Sequence, residues 1–227
     1  MPTHLRPTAP IATDVLLPSD PALALTLAQR LLVRPRMANH SHGLWGYSGA
    51  TAEGRELTIQ ATGIGGPSAA TVLHELAGHG AKRAIRLGIA IALDPALAAG
   101  TRVVVAAARA AGKAFGTARP DPALTGALAA RLRVPPQTVA SFDLWPPPGD
   151  EQRRRCRAEG AVAGDLESAA TLALGTRVGL AVAAALVIGE AGDGELDARS
   201  TETAQAELAE ACAAAFAADA QPSPVGR

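Results

Sequence analysis

The stretch from residue 57 to residue 76 limits the possible folds of this chain more than any other. Residues 57–62 alternate in the manner of a strand and run straight into Gly63-Ile64-Gly65-Gly66-Pro67-Ser68. Apolar residues then recur at Val72, Leu73 and Leu76, the spacing of one helix face, until Gly78 and Gly80 close the run. A strand that turns on glycines into a helix is the opening of a βαβ unit.

The rest of the chain repeats the alternation. Residues 14–17 are a short apolar run that stops at Pro18-Ser19-Asp20-Pro21, where Asp20 can cap a helix and Pro21 can take its first position. Leu23, Leu27 and Leu31 give that helix its stripe. Residues 84–87, 103–107 and 180–188 read as buried strands, 161–166 as a further strand, and 168–178 and 203–217 as helices. The proline-rich stretch 120–148 predicts one helix over 124–132 and an irregular loop after Phe142. The expected fold is a three-layer α/β/α domain with a mixed, largely parallel central sheet, spanning residues 1–227 as a single unit with a frayed tail from Asp219.

Composition narrows the function. Lys plus Arg equals Asp plus Glu at 21 each, which speaks against a nucleic-acid or membrane-surface partner and favours a small ligand. Aromatic residues are only 3% of the chain, so the core must rest on close-packed small aliphatics. Cys156 and Cys212 fit neither a metal spacing nor a disulfide framework, and they read as inert thiols in a reducing, cytoplasmic protein. No signal layout opens the chain, and residues 180–188, the longest apolar run, are too few to span a bilayer. His40 with His42, and His74 with His79, lack the partners of a zinc motif, so no metal site is expected.

The glycine turn places backbone amides where a helix begins, which suits an anion or a closely approaching ligand; glycine also serves such turns for conformation alone. It has neither the lysine of a P-loop nor the dinucleotide spacing. The wider pattern is more specific. Residues 62–70, followed by His74-Glu75-Leu76, Gly80-Ala81 and Arg86-Leu87-Gly88, resemble the central stretch of nucleoside phosphorylases, especially the uridine phosphorylase branch. Pro18-Ser19-Asp20-Pro21 resembles the family's Pro-Gly-Asp-Pro turn. Residues 43–49 resemble its first hairpin, and Asp165-Leu166-Glu167-Ser168-Ala169-Ala170 resembles its Glu-Met-Glu-x-Ala-Ala signature. The resemblance covers roughly residues 4–190.

That resemblance implies cleavage of an N-glycosidic bond with phosphate as co-substrate and no other cofactor. Such a reaction builds positive charge on the ribose ring and needs a carboxylate beside it. Glu167 matches the glutamate that binds the ribose hydroxyls, Asp165 stands where a second glutamate is expected, and Leu166 replaces the methionine under the sugar. Read from the residues alone, both acids also suit the first turn of the helix over 168–178. His4 corresponds to a histidine lent by a neighbouring subunit to the ribose, which implies a homo-oligomer with a dimer as its smallest active unit. For the base, Gln152 and Arg154 have the spacing with which uridine phosphorylases read a pyrimidine, though they stand in a basic run that also suits a solvated surface. Glu190 falls near the acid that protonates a leaving purine in hexameric enzymes, with a surface loop acid as the alternative. Phe142 is a further base-binding candidate.

The phosphate site departs from the family pattern. Its expected positions read Ser19, Leu23, His42 and Arg86-Leu87-Gly88-Ile89, with Gly63 in the glycine turn, and of the family's arginines only Arg86 remains. Hydrogen bonds to charged groups contribute roughly 1.5–3 kcal/mol each, so the losses weaken phosphate binding unless Ser19 and His42 compensate. A phosphate-independent hydrolase and a non-catalytic nucleoside-binding relative are therefore the alternatives to a phosphorylase.

Overall fold

The computed structural model describes residues 4–112, 116–144 and 149–218; the tail from Asp219 lies outside them. The first strand, β1 (Asp14–Leu17), is buried throughout and leads into helix α1 (Pro21–Leu31). Asp20 caps that helix by accepting the Ala22 amide at 2.9 Å, and Pro21 takes its first turn. Strands β2 (Val33–Asn39), β3 (Gly46–Ala50) and β4 (Glu56–Gln60) form an antiparallel meander, and helix α2 (Gly66–Gly78) follows the glycine turn. Strands β5 (Arg83–Ala92), β6 (Arg102–Ala110) and β7 (Thr117–Ala118) come next, then helix α3 (Pro122–Leu132), strand β8 (Pro136–Ser141) and helix α4 (Asp150–Ala158). The chain continues through strand β9 (Ala163–Asp165), helix α5 (Ser168–Val178), strands β10 (Ala181–Ala191) and β11 (Gly194–Glu195), and helix α6 (Ala198–Ala218).

All of these strands join one mixed sheet, and β5 organises it. Along one edge β5 runs parallel to β10 from Arg83 to Ile91. Its other edge is divided, parallel to β1 over Arg83 to Arg86 and antiparallel to β9 at Ile91 and Ala92. Residues 87–90 lie between these two partners, so the sheet opens there. Pairings of β10 with β6, β6 with β8 and β8 with β9 close a ring back to β5, while β1, β4, β3 and β2 extend outward. A divergence of neighbouring strands is where α/β sheets tend to place ligands.

Side-chain alternation along β5 separates the two main cores. Ile85 and Leu87 face α1, α3 and α6, whereas Ala84 and Ala90 face α2 and α5. Small residues allow the layers to approach closely: a Cβ on Gly175 of α5 would stand 2.3 Å from the Val182 side chain on β10. The mixed three-layer arrangement read from the sequence is therefore present, with α4 attached separately through a third cluster that holds Phe142, Cys156 and Ile91.

Besides the two-residue strands β7 and β11, three elements were not read from the sequence. Strands β2 and β8 carry prolines, which demote a strand reading; Pro35 sits on an edge strand and Pro136 at a strand's first residue, positions that tolerate proline. Helix α4 buries only Cys156 and so has no apolar stripe; its signals are Asp150 and Glu151 in the first turn and Arg155 and Arg157 in the last. Buried Cys212 has its thiol pushed up to about 12 by burial, and burial followed by Glu159 also raises Cys156. At pH 8 a thiol reagent should therefore find less than one fast-reacting equivalent in the folded protein, against both of the chain's 2 cysteines after unfolding in guanidinium. Two fast equivalents in the native state would contradict this packing.

Candidate functional site

The opening in β5 is occupied by a buried charge cluster. Alternation turns Arg86 and Gly88 to the α2 and α5 side, and the guanidinium lies over Gly88, where a Cβ would stand 2.8 Å from both Nη1 and Nη2. Arg86 is only 3% exposed. Its Nη2 donates to Oε2 of Glu167 and lies 3.1 Å from Oδ2 of Asp165. Burial opposes the arginine's charge, but Asp165 and Glu167 outweigh it, and its pKa is raised above the ordinary value. Nη1 is buried and has no partner among the described residues.

The two acids, both expected at the ribose, take different parts. Asp165 ties the start of α5, accepting the Ser168 amide at 3.0 Å and the Ser168 hydroxyl at 2.6 Å. Glu167 stands at the N-cap position of α5, yet its carboxylate makes no cap bond. Its Oε1 instead accepts the Gly65 amide at 2.9 Å, across to the glycine turn before α2. Gly65 has φ 87°, a conformation that favours glycine, and this aims its N–H at the acid. The glycine turn thus serves a carboxylate of the same chain.

Beside this cluster lies a cavity of about 220 Å³, lined by Gly66, Pro67, Phe142, Leu166 and Ala170, with Ser141 and Asp143 as its polar groups. Phe142 is wedged over Gly164, where a Cβ would fall 2.5 Å from its ring. Leu166 and Phe142, expected under the sugar and at the base, therefore share one hollow, whose lining takes in Leu166 and Gly66, the chain neighbours of Glu167 and Gly65.

Other expected residues lie elsewhere. The Gly63 amide donates to the Ser19 carbonyl at 3.0 Å, which ties the two turns together. Ile89 is on the opposite face of β5 from Arg86, against Gly189 and the core beneath α6, because residues three apart on a strand point to opposite sides. Gln152 and Arg154 do not converge: both are on α4, where residues two apart face apart, and they line separate surface hollows. Glu190 is in register with Ile91, five residues beyond Arg86 or roughly 16 Å along the strand, and its half-exposed carboxylate is 3.9 Å from Arg153. His4 is bound through its amide and Nδ1 to Glu75, ten residues along α2 from Gly65 or roughly 15 Å. The exposed His42 ring is 5.3 Å from that of His4, so these two form a patch remote from Glu167 of their own chain.

Gly88, Ser168 and Glu75 stand within the family-like motifs without a role of their own in the sequence, and Ser141 stands outside every motif. Gly88 had a signal, since Arg-x-Gly on a strand puts the glycine beside the arginine. Ser141 and Glu75 act over sequence separations of 24 and 70 or more residues, which no local pattern reports.

A family model described as the phosphorylase superfamily matches residues 15–220, and the chain belongs to that superfamily. A DeoD-type purine nucleoside phosphorylase of Oceanobacillus iheyensis is 38% identical over 79 residues, covering 34% of this chain and 33% of that protein. Another, from Lacticaseibacillus casei, is 40% identical over 92 residues, 40% of this chain and 38% of that one. The chain thus matches little more than a third of the length of these curated relatives. A crystal structure of uridine phosphorylase from Vibrio fischeri, complexed with 6-hydroxy-1-naphthoic acid, superposes with a TM-score of 0.80 at 21% identity, over 91% of this chain and 92% of that one. That likeness establishes the shared fold.

The charge cluster predicts an unequal response to loss of an arginine. Arg86→Met leaves two buried carboxylates without their cation and should cost about 3–5 kcal/mol in urea unfolding. Arg30→Met removes an exposed pair with Glu210 and should cost no more than about 1 kcal/mol. Equal losses would refute the cluster's place in the core.

Proposed function

We propose that this chain cleaves the N-glycosidic bond of a purine- or uridine-type nucleoside by phosphorolysis, with inorganic phosphate as pentosyl acceptor and no other cofactor. The observation that carries this reading is Glu167, a nearly buried carboxylate held by Arg86 and the Gly65 amide beside a hollow lined by Phe142 and Leu166. As the bond to the base breaks, the sugar ring becomes cationic, and a pre-oriented carboxylate against its hydroxyls lowers the energy of that state. Leu166 and Phe142 supply the apolar surface for sugar and base. Arg86 retains the buried donor Nη1 for an acceptor oxygen. The relatives named as purine nucleoside phosphorylases support the same chemistry.

His4 and His42 are assigned to the site of a neighbouring copy, since their shared patch lies far along α2 from Glu167. This makes a homo-oligomer the working unit, with purine or pyrimidine salvage in the cytoplasm as its setting. None of the helices among the described residues is long and apolar enough to cross a membrane.

One observation favours hydrolysis as a second reading: Arg86 is flanked by two carboxylates, so the cluster carries a net negative charge that disfavours an anionic acceptor. Incubation with a nucleoside panel, with and without phosphate, separates the two. Phosphorolysis yields free base and pentose 1-phosphate only when phosphate is present; hydrolysis yields free pentose without it. Under either reading Glu167→Gln should lower kcat/KM by at least about a hundredfold. Full activity in that variant would remove Glu167 from its role.

A further inference from the structure

Asp165 has no capacity left for a ligand. A carboxylate offers about four lone-pair sites. Here Oδ1 accepts the Ser141 hydroxyl at 2.6 Å, Oδ2 accepts the Ser168 hydroxyl at 2.6 Å, and the Ser168 amide is shared between them at 3.3 and 3.0 Å. Arg86 Nη2 completes the set at 3.1 Å from Oδ2. The Ser141 hydroxyl is the donor in this bond, because an ionised carboxylate only accepts, and its oxygen in turn accepts the Ala169 amide at 2.9 Å. The Asp165 side chain is 0% exposed.

Glu167 differs on each count. Each of its oxygens has one donor within the chain, Gly65 on Oε1 and Arg86 on Oε2, so one acceptor site remains on each. Two adjacent acceptor sites on one carboxylate match a pair of neighbouring hydroxyls.

We infer that Asp165 does not touch the sugar but is a positioning residue that, with Ser141 and Ser168, fixes the Arg86 guanidinium and leaves Glu167 alone to meet the substrate hydroxyls. This rests on the nucleoside reading above and reassigns one of its expected ribose ligands. Arg86 is held from two sides: Gly88 lets the guanidinium lie flat against the strand, and Asp165 draws Nη2 toward the start of α5. Without Asp165 the arginine keeps its charge but loses the partner that sets its angle to Glu167.

The test uses the full-length protein and three substrates, a nucleoside and its 2'-deoxy and 3'-deoxy forms. Asp165→Asn should lower kcat/KM by about ten- to a hundredfold on the full nucleoside, as expected for a misplaced reacting group, and should still lower it on both deoxy forms, since each leaves Glu167 one hydroxyl to meet. A residue bonded to a sugar hydroxyl would instead lose its effect on the form lacking that hydroxyl, and that outcome overturns the inference. In an Arg86→Met background, read by single-turnover kinetics, Asp165→Asn should have no further effect; additive losses would also overturn it. If Asp165→Asn does not fold, Ser141→Ala keeps the carboxylate, removes one of its donors and should give a smaller loss that likewise persists on both deoxy forms. Wild-type protein that neither turns over nor is thermally stabilised by any nucleoside overturns the nucleoside reading and the inference together. An active wild type in which the Asp165 loss vanishes on one deoxy form overturns the inference alone.

Discussion

A buried arginine between two buried carboxylates is the interaction on which the rest of this structure depends. Arg86 can be buried because Asp165 and Glu167 supply opposite charge within hydrogen-bonding range, and the acids can be buried because Arg86 is there. The three residues come from β5, from the end of β9 and from the N-cap position of α5, elements brought together only by the complete sheet. Through Gly65 the cluster also reaches the start of α2, so both helices on that face are anchored to the same charges.

This arrangement accounts for the unusual use of the glycine turn. Amides at a helix start are generic anion donors, and one of them here holds a carboxylate from the protein itself. The Gly63 amide is committed to Ser19, which joins the turn after β4 to the turn after β1. The two turns and the Glu167 carboxylate are therefore held by hydrogen bonds within the chain itself.

Much of the fold could be read from the sequence because its signals are local. The capped start of α1, the strand and helix around the glycine turn, and the long strand β10 between two cores each carry their own periodicity or punctuation. Strand β8 and helix α4 could not be read in the same way, since proline masked one and the absence of an apolar stripe masked the other. At the site, Arg86, Asp165 and Glu167 were identified through family resemblance, but their division of labour was not. A helix start attracts acids at both 165 and 167, and only the contacts with Ser168, Gly65 and Arg86 tell the acid that caps α5 from the one that reaches across to α2. The Gln152–Arg154 spacing does not bring the two side chains together, because residues two apart on α4 face apart, which fits the solvated basic surface that the same run also suggested.

The divided edge of β5 makes that strand a ruler. Arg86 is the last residue in register with β1, and Ile91 is the first in register with β9, so the four residues between them set the distance from the guanidinium to the strand that carries Asp165. Deleting one of them would reverse the facing of everything downstream, and deleting two would keep the facing but draw the halves together by roughly 7 Å. The strand's own residue count is therefore part of the cluster's geometry, whereas the loops that flank β5 can change length without moving Arg86 relative to Asp165.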